Sequence, residues 1–373
     1  MARGRNASGE GTIYKRRDGR WEGAIYLTTT AGIKTRRRVY GRTRAEVYTK
    51  LTQEKARAEQ GLLVSDQNWS LGAYLDHWLE NVVRRTKRPS TCALYESVIR
   101  LYLKPGLGRR QLSRLSVPMV QAYLNGRLEA GDSVHMVYKI RTVLSAALTS
   151  AVREELLIRN VARLVVLPPW PHKEQQSWSA EEVRTFLRAA ESHPLYPAFL
   201  LLLTYGLRRG EVLGLRWSDI SAEDNTIYVR QQLQRVGQQL ILGPLKTPAS
   251  RRNLPLLRTV REVLEDHFKR QSHRPIANDL VFTTSTGRPI EPRSFVRSFQ
   301  RLCVAADVRQ IRVHDLRRTV ASLLNKLGVS ARDAQVILGH SRLAVTLEIY
   351  TNVDRESRAI ALDQVQGLLA GDR

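Results

Sequence analysis

The run Leu167-Pro168-Pro169-Trp170-Pro171 divides this chain. Three prolines in four positions fix φ and remove backbone donors, so no helix can run through them. An extended strap remains, and the chain must fold as separate bodies on either side of it. Length and composition agree. The chain has 373 residues, of which 42% are hydrophobic. That suits two or three globular domains of roughly 150 residues each.

Before the strap, two patterns follow one another. Residues 1–10 are polar, with glycine and serine, and read as a mobile arm. Three strand-like pieces come next: Thr12 to Arg16, Arg20 to Thr28 and Ile33 to Tyr40. Asp18-Gly19 between the first two is a hairpin signal. A helix opens at Thr43 with Glu46 as capping-box partner and stops near Gly61. The expected product is a three-stranded sheet backed by one helix. Lys15, Arg16, Arg17, Lys34, Arg36, Arg37 and Arg38 make it basic. A sheet of this size fits a DNA major groove, but a solvated basic face without specificity has the same composition.

From Trp69 to Arg163 the apolar period is helical. Leu71, Leu75 and Trp78 form one stripe. A second helix opens at Pro89 and is closed by Pro105-Gly106-Leu107-Gly108. The third covers Val117 to Leu128 and the fourth Val134 to Val152. The apolar stripes are core; Lys87, Arg88, Lys139 and Arg141 are left as candidates for contact with a polyanion.

After the strap, Ser179 and Glu182 form a capping box. Helices follow through Phe186 and through Leu200 to Leu203, then a short one after Arg208. Strands are expected over Thr226 to Arg235, Gln239 to Leu245 and Arg252 to Leu256, with Lys246-Thr247-Pro248 in the turn between the last two. More helices occupy Val260 to Arg270 and Pro292 to Ala306. Tyr205 and Tyr228 read as core. The fold class is therefore multidomain, mainly α with small β-sheets.

Charge narrows the partners. Lys and Arg number 60 against 35 Asp and Glu, a formal +25. Such an excess suits nucleic acid, where basic side chains displace condensed counterions; a ribosomal or generally basic housekeeping protein has the same balance. Cys92 and Cys303 make neither a disulfide framework nor a zinc cluster, which fits a reducing cytoplasm. The charged N-terminus has no apolar run after it, unlike a signal peptide. The run Ala198 to Leu203 is too short to span a bilayer.

The chemistry concentrates in HDLRRTVASLLNKLGVSARDAQVILGHSRLAVTLEIY, from His314 to Tyr350. His314 and Arg317 lie one helical turn apart, on one face. Ser330 with Asp333 opens another helix, Gly339 stops it, and His340 follows at the turn. Tyr350 ends the next segment. Two imidazoles, a guanidinium and a phenol suit the grip of a phosphate rather than a metal. Cutting a phosphodiester without metal needs a nucleophile, donors for the non-bridging oxygens and an acid for the leaving oxygen. Arginine's planar fork suits the oxygens, and tyrosine, with a pKa of about 10, needs such a setting to attack. The chain has no P-loop, GxGxxG, HExxH or CxxC pattern.

Four separated motifs, in order, resemble those of the tyrosine recombinases of the phage integrase family. Thr204-Tyr205-Gly206-Leu207-Arg208-Arg209-Gly210-Glu211 is similar to the first arginine motif, although many members have threonine where Tyr205 stands. Pro244-Leu245-Lys246-Thr247 matches the lysine turn, His314-Asp315-Leu316-Arg317-Arg318 the His-x-x-Arg motif, and Leu338-Gly339-His340-Ser341 the second histidine box, with Tyr350 at the nucleophile position. The resemblance implies catalytic Arg208, Lys246, His314, Arg317, His340 and Tyr350, supporting Glu211, a 3′-phosphotyrosine intermediate, and no metal or ATP. It also implies a layout: an arm-type DNA-binding domain over 1–64, a helical core-binding domain over 65–167, a linker over 168–178, and a mainly-α catalytic domain with a C-terminal tail over 179–373. The implied partners are duplex DNA at core and arm attachment sites, three further copies in a tetramer, and an excision factor or host DNA-bending protein. The amphipathic tail from Glu356 to Ala370 is expected to dock on a neighbouring copy. Two rivals share these motifs or this charge: an enzyme that only relaxes DNA, like a type IB topoisomerase, and a DNA-binding protein without catalysis.

Overall fold

The computed structural model describes residues 11–28, 34–59, 69–170, 177–271, 277–350 and Gln366. The expected arm over 1–10 and the expected tail docking over 356–370 lie outside the described residues, Gln366 excepted. The chain divides into two compact units, Met1–His172 and Lys173–Arg373. No helix among the described residues is long and apolar enough to cross a membrane.

The first unit opens with an antiparallel sheet, β1 (Thr12–Lys15), β2 (Trp21–Thr28) and β3 (Lys34–Gly41), in the order β1-β2-β3, followed by α1 (Arg44–Glu59). Thr43 Oγ1 accepts from Glu46 N at 3.1 Å, while the Glu46 carboxylate reaches Arg42 N at 2.8 Å rather than the cap residue itself. Ile25, Leu27, Val47 and Leu51 close a small core. Strand alternation then sorts the basic residues. Arg36 and Arg38 pair with Tyr26 and Ala24 on the face away from α1. Arg37 pairs with Ile25 on the α1 side, and its Nε lies 3.8 Å from Glu54 Oε2. Lys15, opposite Trp21, alternates to that side too. Lys34 opens β3, and Arg17 is exposed in the turn. The basic run thus does not present one face. At the centre of the outer face sits Glu22, which accepts from Arg16 Nη1 at 2.9 Å and lies 3.5 Å from Arg38 Nε.

A bundle follows: α2 (Leu71–Trp78) and α3 (Arg84–Thr86) joined through the π-helical turn Leu79–Val83; α4 (Pro89–Val98) and α5 (Lys104–Leu107) joined through Ile99–Leu103; then α6 (Val117–Glu129) and α7 (Val134–Arg153). The second helix runs through Pro105 and ends at Gly108, inside the expected closing segment. The π turn lets Lys104 N donate to Ile99 O, so the proline falls at a new helix start, where its missing donor costs little. Tyr123 Oη donates to Tyr102 O in that same turn, at 2.6 Å. Val137, Ile140, Val143, Leu144 and Leu148 of α7 are buried in the common core. Lys87 and Arg88 are exposed between α3 and α4, and Lys139 is half-buried. Arg141 is occupied structurally: it donates to Ala162 O and Arg163 O at 3.0 and 3.2 Å. The start of the proline strap is anchored on α7, with Tyr138 Oη donating to Pro168 O and Trp170 edge-on to His135 and Tyr138.

The second unit runs α8 (Ala180–Ala190), α9 (Tyr196–Tyr205), α10 (Arg209–Leu213), β4 (Ile220–Ser221), β5 (Thr226–Val229), β6 (Gln231–Val236), β7 (Gln239–Pro244), β8 (Arg252–Pro255), α11 (Arg258–Gln271), α12 (Pro292–Ala305), α13 (Asp315–Lys326), α14 (Ala331–Leu338) and α15 (Leu343–Tyr350). Trp178, Phe186, Phe199, Phe295 and Phe299 lie in its core. The strand expected over Thr226 to Arg235 changes partners at Arg230. β5 lies between β4 and β8, whereas β6 pairs with β7 in a separate hairpin. Lys246 therefore stands on a link between two sheets. Tyr205 is buried, its hydroxyl on Pro255 O at 2.8 Å. Tyr228 is only half-buried and bonds Asp224, so it is not core.

Candidate active site

Two helix ends organise the site. α9 ends at Gly206 with φ +60°, and α14 ends at Gly339 with φ +67°, both in the left-handed region that glycine adopts without strain. Each glycine turns its carbonyl towards a guanidinium from another segment. Arg317 Nη1 donates to Gly206 O at 2.8 Å, and Arg208 Nη2 donates to Gly339 O at 3.1 Å. The exchange laces together stretches 111 and 131 residues apart in sequence. A side chain at Gly339 would also stand 2.9 Å from Arg252 Nη1.

Glu211 is the carboxylate of this cluster and is buried. It accepts from Arg208 Nη1 at 2.6 Å, from Arg208 N at 3.0 Å and from Arg252 Nη2 at 2.9 Å. Burial pushes its pKa up, but Arg252 and Arg208 outweigh burial and hold it below the ordinary carboxylate value. Arg252, on β8, also donates to Ile337 O and Ser250 O, each at 2.9 Å. Arg208 Nη1 reaches Ser250 Oγ at 3.1 Å, and Ser250 Oγ lies 2.9 Å from Thr247 Oγ1. Lys246 is exposed directly beside Thr247, so the lysine link is tied to the Arg208 end of the cluster.

Arg317, on the first turn of α13, is buried. Its Nε donates to His340 Nε2 at 3.1 Å, and His340 Nδ1 is 2.9 Å from Thr346 Oγ1. Burial, then the neighbouring Arg208, lowers the Arg317 pKa to about 9. Burial, then Arg317 and Arg208, pushes His340 down to about 3. The same three causes, in the same order, lower His314, which caps α13 and lines a cleft of about 440 Å³ with Arg208, Arg209 and Arg312. Both imidazoles are thus neutral at pH 7. Three arginines face one carboxylate, leaving an excess of positive charge poised for an anion. Among the described residues, four buried side-chain polar atoms lack a hydrogen-bond partner, and Arg317 Nη2 and Tyr350 Oη are two of them. Burial, then Asp333, raises the Tyr350 pKa, so the resting phenol keeps its proton.

The hydrogen-bonded network joins Arg208, Glu211, Arg317 and His340. Lys246 and His314 border it, and Tyr350 lies on the helix that His340 contacts through Thr346. Sequence reasoning missed Arg252, Ser250 and Thr346. A signal for Arg252 was present: in Arg252-x-Leu254-x-Leu256, alternation puts the arginine on the apolar face, where it requires an acidic partner.

Residues 176–357 match the model of the "Phage integrase family", and residues 70–128 that of the "Phage integrase, N-terminal SAM-like domain". A tyrosine recombinase XerC-like protein of Caldanaerobacter subterraneus subsp. tengcongensis is 28% identical over 359 residues, covering 89% of this chain and 92% of that protein. An integrase of Streptomyces ambofaciens is 25% identical over 387 residues, covering 98% of each. Among solved structures, the Tn1549 transposon integrase in complex with a circular intermediate DNA has a TM-score of 0.70 at 19% identity, covering 80% of this chain and 99% of that one. The lambda integrase tetramer bound to a Holliday junction has a TM-score of 0.59 at 22% identity, covering 94% and 98%. With residues 70–128 of the helical bundle and residues 176–357 of the second unit matched, the chain belongs to the phage integrase family of tyrosine recombinases, enzymes of site-specific DNA cutting and rejoining.

Proposed function

We propose that this chain integrates and excises a phage or mobile element at attachment sites, with Tyr350 as nucleophile. The Tyr350 oxygen bonds to phosphorus as the bond to the 5′ oxygen breaks, leaving a 3′-phosphotyrosine. Arg208 and Arg317 hold the non-bridging oxygens. Lys246 gives its proton to the leaving 5′ oxygen, and neutral His314, open to the cleft, takes the phenol proton. Glu211 and His340 orient the two arginines by hydrogen bonds. A partner strand's 5′-hydroxyl reverses the step, and because the covalent link conserves the bond energy, no ATP is used. The observation that carries this reading is the buried Arg317 Nη2, without a partner in a cluster of excess positive charge.

Around this centre, residues 1–64 bind arm sites, 65–167 bind the core site and 179–373 cut, with 168–178 as the linker. Arg36 and Arg38 are the arm contacts that the strand alternation favours, with Arg16 beside them through its ion pair to Glu22; Lys87, Arg88 and Lys139 are those of the bundle. Four copies act together in the cytoplasm, with an excision factor or host DNA-bending protein as further partners; the tetramer is supported by the lambda integrase tetramer bound to a Holliday junction.

A nicked suicide duplex carrying the core site tests the reaction. Wild type forms a covalent adduct, Tyr350→Phe binds without forming one, and Arg208→Ala or Arg317→Ala slows formation roughly 10²–10³-fold. Losses below about tenfold at both arginines contradict the clamp.

A further inference from the structure

The described part of α15 is Leu343–Tyr350. A helix in a protein draws most of its stability from tertiary packing, so the position of Tyr350 depends on what docks α15 to the unit. It packs against α13 and α14, while Leu343 and Leu347, one helical turn apart, are 39% and 41% exposed on its outward face. Thr346 is different: it is 0% exposed, and its hydroxyl is 2.9 Å from His340 Nδ1.

The direction of that bond follows from the other side of the ring. An arginine side chain can only donate, so His340 Nε2, which accepts from Arg317 Nε, carries no proton. In a neutral imidazole the proton is then on Nδ1, and the ring donates to Thr346 Oγ1. Both ring nitrogens are engaged, one by the clamp and one by the helix. Thr346 and Tyr350 are four residues apart and share a helix face.

We infer that Thr346 is a positioning residue for DNA cleavage: its hydroxyl, gripped by His340 Nδ1–H, docks α15 so that Tyr350 faces the phosphate held by Arg317. This rests on the reading of Tyr350 as nucleophile. His340 then acts as a two-ended spacer that fixes the distance between clamp and nucleophile. It gives up no proton while both bonds stand. Loosening either bond moves the attacking oxygen relative to the phosphorus, and a misplacement of about 1 Å can cost roughly a hundredfold in rate.

Thr346→Val keeps the shape and deletes the hydroxyl; Thr346→Ser keeps the hydroxyl. Each is assayed for single-turnover adduct formation from preformed complexes with the nicked suicide duplex, with DNA affinity and Tm measured alongside. The inference expects Thr346→Val to bind normally but cleave roughly tenfold to a hundredfold more slowly, and Thr346→Ser to restore the wild-type rate. Nitrogen spectra of histidine-labelled wild type should show His340 protonated on Nδ1. A Thr346→Val rate equal to wild type, a Thr346→Ser rate as low as that of valine, or a ring protonated on Nε2 overturns the inference. The serine variant and the wild-type ring decide the matter even if the valine variant folds poorly. Tyr350→Phe run in parallel separates the two claims. If it still forms adduct, the nucleophile reading fails; if it is inert while Thr346→Val cleaves at full rate, only the role of Thr346 fails.

Discussion

At the scale of single residues, the site is a set of charges held away from their ordinary protonation equilibria, which makes stability depend on pH. His340 takes up its proton near 6.5 in the unfolded chain and only at about 3 when folded. Between those values the unfolded state binds more protons, so His340 favours folding fully above 6.5 and progressively less as pH falls towards 3. His314, also lowered, acts in the same direction. Glu211 adds to the loss at lower pH: its stabilisation is present above 4.5 and disappears as pH falls through its depressed folded value. Urea unfolding of wild type and His340→Gln should therefore diverge in slope between pH 7 and 5, with the glutamine variant the less pH-sensitive; parallel slopes would contradict the buried neutral ring. Glu211→Gln at neutral pH leaves Arg252 and Arg208 without their carboxylate, and should cost about 3–5 kcal/mol in the same experiment. His314 and Arg317 were legible because their relation is one helical turn. The bond from Arg208 to Gly339 was not, because nothing local in either stretch encodes a partner 131 residues away.

At the scale of elements, alternation and termination decide most of what the chain presents. The helix ends at Gly206 and Gly339 were readable as stops. That each offers its carbonyl to an arginine from another element depends on packing. The strand run from Thr226 to Arg235 read as one strand because composition does not change at Arg230; only its pairing does. The second helix ends inside residues 105–108 as its sequence indicates, but the π turn that carries it through Pro105 is not revealed by apolar spacing. In the N-terminal sheet, period-two geometry separates the arginine run. Arg36→Gln with Arg38→Gln should lower the salt dependence of arm-site binding by nearly two in log–log slope, at ~0.9 per phosphate contact. Arg37→Gln, which faces α1 and Glu54, should leave the slope almost unchanged. Equal effects from Arg37 and the other two would show that the outer face is not the one that meets DNA.

For the whole molecule, four separated stretches, around Gly206–Glu211, Lys246–Arg252, His314–Arg317 and Gly339–Tyr350, make up the proposed phosphate grip. Motif order in the sequence pointed to all four, while the network that aligns them, through Arg252, Ser250 and Thr346, emerges only when β8, α14 and α15 pack. The measurement that tests this most directly is the identity of the covalent link. The adduct trapped on a nicked suicide duplex is digested and its nucleotide-bearing peptide sequenced by tandem mass spectrometry, with the broken strand end mapped on the same sample. One modified residue is expected, Tyr350, joined to a 3′-phosphate, with a 5′-hydroxyl on the released strand. Linkage through another residue, or to a 5′-phosphate, would contradict it.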